Sequence, residues 1–175
     1  ESDVVVVQTG LEADAVAGWG IPRGRILTLG MAVEHDEVTG GDPRALRAEH
    51  GIPTGRPVVG HLATLDPNKG STDLLLALAR LNATRPASDP VHLILAGPSS
   101  PDFERFLAAQ EFRSAPWLTL LGPLPLERRA DFFAALDLFA MPSRTDSFGI
   151  VFLEAWANGL PVVAAAAGGV PEVVR

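Results

Sequence analysis

The chain has 175 residues, 47% of them hydrophobic, a formal net charge of −7 and no cysteine. That length and apolar content fit one folded domain with a sizeable core, outside the range of disordered chains. Disulfides, thiolate metal sites and cysteine nucleophiles are excluded, and an acidic chain without a Lys/Arg cluster argues against nonspecific nucleic-acid binding.

In chain order, the apolar run at 4–7 is far short of the roughly 20 residues of a membrane helix and follows no basic segment, so it reads as a strand rather than a span or signal peptide. A short helix is predicted at 9–18 and a second strand near 25–29. Gly30 marks the expected domain boundary, and the polar, Gly-rich stretch 34–55 reads as a linker with one helix at 43–50. From Pro57 onward short apolar runs alternate with amphipathic stretches, the pattern of an α/β unit with a parallel sheet covered by helices. Strands are predicted at 58–62, 91–96, 118–121, 138–141 and 161–164. The helix at 101–112 has Ser100 as its cap and Pro101 at its first position, with Phe103, Phe106 and Leu107 on one stripe. The helix at 126–136 aligns Leu126, Ala130 and Phe133. Stretches 71–81 and 148–158 are apolar nearly all round, as expected of helices buried against a sheet and a neighbour, with Phe152 and Trp156 read as core; Gly159 and Pro161 stop the second. The sequence ends just after Gly168-Gly169-Val170-Pro171-Glu172 begins a further helix, so truncation at both ends is expected. His35, His50, His61 and His92 show no metal-ligand spacing, and no metal site is expected. The lack of cysteine leans toward a cytoplasmic location, with peripheral membrane attachment left open for a full-length protein.

In open parallel sheets ligands bind beyond the carboxyl ends of the strands. There, Pro142-Ser143-Arg144-Thr145-Asp146-Ser147-Phe148-Gly149 joins a strand to a buried helix. With a helix start near Phe148, Glu154 lies roughly 9 Å along the axis, so two acids bracket a helix N-terminus. Its free N–H groups can hold a diphosphate, Gly149 lets the backbone come close, and each acid can accept hydrogen bonds from sugar or ribose hydroxyls. Glu154 sits among Val151, Phe152, Leu153 and Ala155, where an ionised carboxylate is costly unless satisfied. Plainer readings stand beside these. Asp146 and Ser147 can be helix caps, Lys69 a solvated lysine, and Gly97, Gly122 and Gly149 turn glycines. Glu154 can pair internally with Arg144 or a backbone amide, and Glu172 can be a helix-start acid.

The segment from Pro142 to Glu172 resembles the signature of GT-B-fold, retaining glycosyltransferases of the large family 4 type: a Pro-Ser, an acid-x7-acid pair around Phe-Gly, Leu-Glu-Ala, Gly-x-Pro-Val-Val, then Gly-Gly-x-Pro-Glu. Upstream, Asp66-Pro67-Asn68-Lys69-Gly70 is similar to the family's Lys-Gly turn, residues 93–97 to its strand-Gly segment, and Gly122-Pro123-Leu124 to its base-contacting loop. The resemblance implies a Rossmann-like parallel sheet with helices on both faces, the C-terminal half of a GT-B fold, at 31–175, with 1–30 a remnant of the N-terminal domain and crossover. It implies metal-independent transfer of a hexose-type sugar from a nucleoside diphosphate sugar, with retention and no cofactor. This chain would supply the donor-binding half and be inactive alone. By position, Glu154 would bind the ribose, Asp146 the sugar, the backbone of Ser147, Phe148, Gly149, Ile150 and Val151 the diphosphate and sugar, and Lys69 the phosphate charge. Leu124 would contact the base through its main chain, and Thr64 and Gly97 would border the donor; catalytic roles fall to Asp146, Lys69 and Glu154. Three positions depart from the family pattern: Asp146 stands for Glu, Thr64 for an Arg five residues before the Lys, and Leu29-Gly30-Met31-Ala32 for Asn-Gly-Val-Asp. The acceptor, whether lipid, saccharide or small molecule, belongs with the absent N-terminal domain. A sugar-nucleotide epimerase of the same fold and a non-catalytic nucleotide-binding or scaffold module are the alternatives. A nicotinamide dehydrogenase is disfavoured because no strand precedes Gly-x-Gly-x-x-Gly.

Overall fold

The computed structural model describes residues 3–174; Arg175, where the sequence ends, lies outside them. Strand β1 (Val5–Val7), helix α1 (Gly10–Gly18) and strand β2 (Ile26–Thr28) form a small βαβ unit whose two strands pair in parallel from Val5↔Ile26 to Val7↔Thr28. Two short helices follow, α2 (His35–Val38) and α3 (Ala45–Glu49). Strands and helices then alternate: β3 (Val58–Leu62), α4 (Ser71–Ala83), β4 (His92–Ala96), α5 (Pro101–Ala109), β5 (Leu118–Gly122), α6 (Arg129–Ala134), β6 (Leu138–Met141), α7 (Ile150–Ala157), β7 (Val162–Ala164) and α8 (Val170–Val173).

The second sheet is parallel throughout, with strand order β5-β4-β3-β6-β7. Its strands carry apolar side chains on both faces because both faces are covered. Ile94 and Ala96 point into one core with Leu46 of α3, Phe132 and Phe133 of α6, and Phe152 and Ala155 of α7. Leu93 and Leu95 point the other way, onto Leu74, Leu75 and Leu78 of α4 and Phe103 and Leu107 of α5. The strand period of two thus divides one five-residue run between two cores, and the sheet has helices on both faces.

Stretch 34–55 is not a linker with a single helix. It holds α2 and α3 and buries Val38, Leu46 and Ile52, and Asn158, the C-cap of α7, donates to the Val38 carbonyl at 2.9 Å. Three apolar residues spaced through polar sequence are enough to pin it. The expected helix at 101–112 stops at Ala109, where Glu111 turns to a φ of 56° before a separate 3-10 turn. The expected helix at 126–136 opens as a 3-10 turn, leaving Leu126 exposed. Helix α7 starts at Ile150, two residues later than expected, because Gly149 is its N-cap. Phe152 is fully buried, but Trp156, expected in the core, is 39% exposed on the outer side of α7.

Candidate functional site

Going out from β3, the chain winds one way through β4 to β5; β6 and β7 lie on the other side. The order therefore reverses between β3 and β6, the place where open parallel sheets bind ligands. These two strands share only the register pairs Val59↔Leu138 and Gly60↔Phe139. Beyond them the strands separate and a cleft of about 280 Å³ opens, lined by Leu62 at the end of β3 with Ala63 and Thr64 after it, by Lys69, and by Met141 at the end of β6 with Asp146 to Val151 after it. Its size is near the low end of the ~300–1,000 Å³ usual for small-molecule sites.

His61 sits where the ladder stops. Its buried Nδ1 lies 2.9 Å from the Ala140 carbonyl and its Nε2 lies 2.9 Å from Ser71 Oγ. A carbonyl can only accept, so Nδ1 carries the proton and Nε2 accepts from the serine. Ser71 Oγ in turn accepts from the Asp66 amide at 3.2 Å. Burial, with Lys69 nearby adding repulsion, lowers the His61 pKa to about 4 even against the Ala140 hydrogen bond. The ring is a neutral strut between the sheet and the turn that carries Lys69.

That turn is capped by Asp66, which accepts from the Asn68 amide at 2.8 Å. It is stitched to the loop after β6: the Arg144 amide donates to the Asn68 carbonyl at 2.7 Å, and the buried Ser143 hydroxyl reaches the same carbonyl at 3.3 Å. The result is an ion pair across the cleft, Lys69 Nζ to Asp146 Oδ2 at 2.9 Å. Asp146 therefore caps nothing, and among the described residues no side chain caps α7. In the first turn of α7 the Phe152 amide donates to the Gly149 carbonyl at 3.0 Å, and the N–H groups of Ile150 and Val151 are left for an incoming acceptor at the positive end of the helix dipole. Lys69 is the one cation among the described residues that line the cleft, since Thr64 brings no charge.

Thr64, Lys69, Asp146, Ser147, Phe148, Gly149, Ile150 and Val151 are thus gathered around one opening. Glu154, Leu124 and Gly97 do not line it. Glu154 is one turn beyond Ile150 and Val151 on the same helical face, about 6 Å from the start of α7 rather than 9 Å. It is 3% exposed, and its Oε1 pairs with Arg129 at the start of α6. Arg144, the internal partner considered from sequence, binds Asp73 instead. The Glu154 Oε2 has no partner among the described residues. Burial raises the Glu154 pKa above its ordinary 4.5, and the Arg129 charge pulls against that rise. Leu124 borders a separate hollow of about 190 Å³ with Pro123, Pro125, Glu49, His50 and Arg128. Gly97 serves the backbone: at a φ of 129°, a Cβ there would lie 1.8 Å from the Ala63 carbonyl oxygen.

Gln8, the residue after β1, also lines the cleft, although nothing in the sequence marks it. Arg129 and the His61–Ser71 link were equally silent, since each works through a partner remote in sequence. Among the described residues no three His, Asp or Glu side chains cluster as metal ligands, and no helix is long and apolar enough to cross a membrane.

A protein-family model described as "Glycosyl transferases group 1" matches residues 42–175. The chain is 36% identical over 180 residues to the D-inositol 3-phosphate glycosyltransferase of Nocardia farcinica, covering 100% of this chain and 40% of that protein. It is 38% identical over 181 residues to the enzyme of that name from Mycobacterium tuberculosis strain F11, covering 100% of this chain and 36% of that one. The chain therefore spans about 40% of the length of such curated relatives. Among solved structures, Anabaena Alr3699/HepE in complex with UDP-glucose superposes with a TM-score of 0.82 at 27% identity, over 99% of this chain and 48% of that one. Sucrose-phosphate synthase from Thermosynechococcus elongatus gives 0.79 at 26%, over 97% and 42%.

Proposed function

Since the chain belongs to the group 1 glycosyl transferases, we propose that it is the donor-binding half of an enzyme that transfers a sugar from a nucleoside diphosphate sugar to an acceptor, with retention at the anomeric carbon. The observation that carries this reading is the cleft at the sheet's reversal point, where a lysine, an aspartate and an uncapped helix N-terminus face one opening. The diphosphate is taken up by the N–H groups of residues 149–151 and by Lys69. Asp146 turns from Lys69 to the sugar hydroxyls, and a ribose contact at Glu154 requires this buried carboxylate, one turn behind the cleft-lining Ile150 and Val151, to open toward the donor. The likeness to a protein solved with UDP-glucose supports a uridine donor.

As the bond from sugar to phosphate lengthens, negative charge grows on the leaving diphosphate. The helix dipole and Lys69 stabilise that charge more than they stabilise the bound donor, which is how they lower the barrier. The ion pair gives the mechanism a local switch, because Lys69 is held by Asp146 until phosphate competes for it. Acceptor binding falls to residues outside this unit, so the chain alone binds donor and transfers nothing.

Thermal melting of the chain with UDP-, GDP- and ADP-sugars tests the reading, since a ligand that binds only the native state raises the melting temperature by mass action. Stabilisation by one of them, lost in Lys69→Ala, is expected. Indifference to all three would refute the donor site.

A further inference from the structure

The Gly-Gly-x-Pro-Glu segment offers Glu172 as an acid at the start of its own helix, but its carboxylate serves a different helix. At the N-terminus of α1, the Glu12 amide donates to Thr9 Oγ1 at 3.3 Å, and the Ala13 amide to the Thr9 carbonyl at 3.0 Å. Glu12 reaches back to the Gln8 amide at 2.7 Å, a variant of the capping box. Two first-turn donors, Gly10 and Leu11, find no acceptor in α1's own sequence. Both donate to Glu172, at 2.7 Å to Oε2 and 2.8 Å to Oε1. A two-oxygen acid at the positive end of a helix satisfies both N–H groups and the dipole together.

The opposite side of the same short segment is fastened to the cleft loop. The Gly169 amide donates to the Asp146 carbonyl at 2.8 Å. A Cβ on Gly169 would stand 1.9 Å from the Ser147 carbonyl oxygen and 3.0 Å from the Thr9 methyl. Residues 168–172 are therefore wedged between the loop that carries Asp146 and Ser147 and the turn that carries Gln8 and Thr9. Gln8 and Ser147 both border the cleft.

We propose that Glu172 is a positioning residue of the donor site, a clamp that fixes α1 against the 146–147 loop and so sets the spacing between the Gln8 wall and the Ser147 wall. The coupling rests on the donor reading of the cleft, whereas the clamp rests on the hydrogen bonds alone. Glu172→Gln keeps one acceptor and Glu172→Ala keeps none, so the two variants grade the contact.

The test pairs amide hydrogen exchange with UDP titration on the 175-residue chain. Loss of two charge-assisted hydrogen bonds should speed exchange at Gly10 and Leu11 about tenfold or more in Glu172→Ala, with Glu172→Gln between it and the parent. Amides of β3 and β4 should keep their protection, which separates a local clamp from general destabilisation. The UDP dissociation constant should rise in the same order, by about threefold to tenfold in Glu172→Ala. Should Glu172→Ala fail to fold, the graded effect of Glu172→Gln decides. Unchanged exchange at Gly10 and Leu11 overturns the clamp. Faster exchange with unchanged UDP affinity overturns the coupling. Failure of the parent chain to bind UDP, GDP or ADP overturns the donor reading and the coupling with it, while the exchange data still decide the clamp.

Discussion

Removing Arg129 isolates what the buried carboxylate of Glu154 demands. In the parent chain Glu154 is 3% exposed, with one oxygen on Arg129 and the other unpartnered among the described residues. Arg129→Ala leaves both oxygens without a partner, a situation that costs about 3–5 kcal/mol when a buried pair loses one member. The arginine side chain is 30% exposed, so water can follow it in, and the lower end, about 3 kcal/mol, is expected. For a chain of this size that is a drop in melting temperature of about 6–12 °C. Glu154→Gln keeps the shape and an acceptor for Arg129 and should cost about 1 kcal/mol. The double variant Arg129→Ala/Glu154→Gln should then be more stable than Arg129→Ala alone. The sign of the pH dependence follows from the raised pKa. Above the ordinary value of 4.5 the folded form holds the proton more tightly than the unfolded form, so this group's contribution to stability falls as pH rises through that window. Without Arg129 the opposing charge is gone and the window widens upward. Urea unfolding at pH 8 and pH 5 should show a smaller deficit for Arg129→Ala at the lower pH. A loss below about 1 kcal/mol at pH 8, or a deficit that grows on acidification, would refute the reasoning.

Three further outcomes are expected. His61 is depressed to about 4, so its contribution is complete above 6.5 and is lost as pH falls toward 4, a change of about 3 kcal/mol; urea midpoints across that range should be steeper for the parent than for His61→Asn. Asp146→Asn frees Lys69 from its 2.9 Å partner. The pair is partly solvated, so UDP should bind only about fivefold more tightly, about 1 kcal/mol by calorimetry, and weaker binding would contradict the switch described for Lys69. Gly97→Ala must move the Ala63 carbonyl or unwind a positive φ and should cost about 3 kcal/mol or more, read as loss of folded yield and melting temperature.

The sheet and its helices were legible because their signals are local and periodic. Short apolar runs such as His92 to Ala96, bounded by Pro90 and Gly97, read as strands covered on both faces, and the Ser100-Pro101 start is written in two adjacent residues. The polar loop from Pro142 to Gly149 announced itself by interrupting that pattern, and its lining of one cleft with Lys69 follows from strand order. What escaped depends on partners remote in sequence. Leu46 and Ile52, which join the core of α6 and α7, and Val38 of α2, which packs beside the same two helices, look like isolated apolar residues until those helices are placed. Glu154 advertised an unmet need without naming Arg129, and Glu172 gave no hint that its acceptor role lies at α1. Trp156 misled because an apolar stretch one helix long says which residues are greasy, not which side faces out.

The early parting of β3 and β6 has a consequence for how this fold can diversify. The opening exists because a ladder halts after Gly60↔Phe139, a property of main-chain geometry that no single polar group in the walls creates. Apart from Gly149, whose positive φ and closeness to Phe152 admit no side chain, the lining residues can therefore be exchanged while the hollow persists, so that one scaffold can change what it accepts by small steps. Erasing the hollow would take a change of another kind, one that lets two neighbouring strands zip together for a further residue or two.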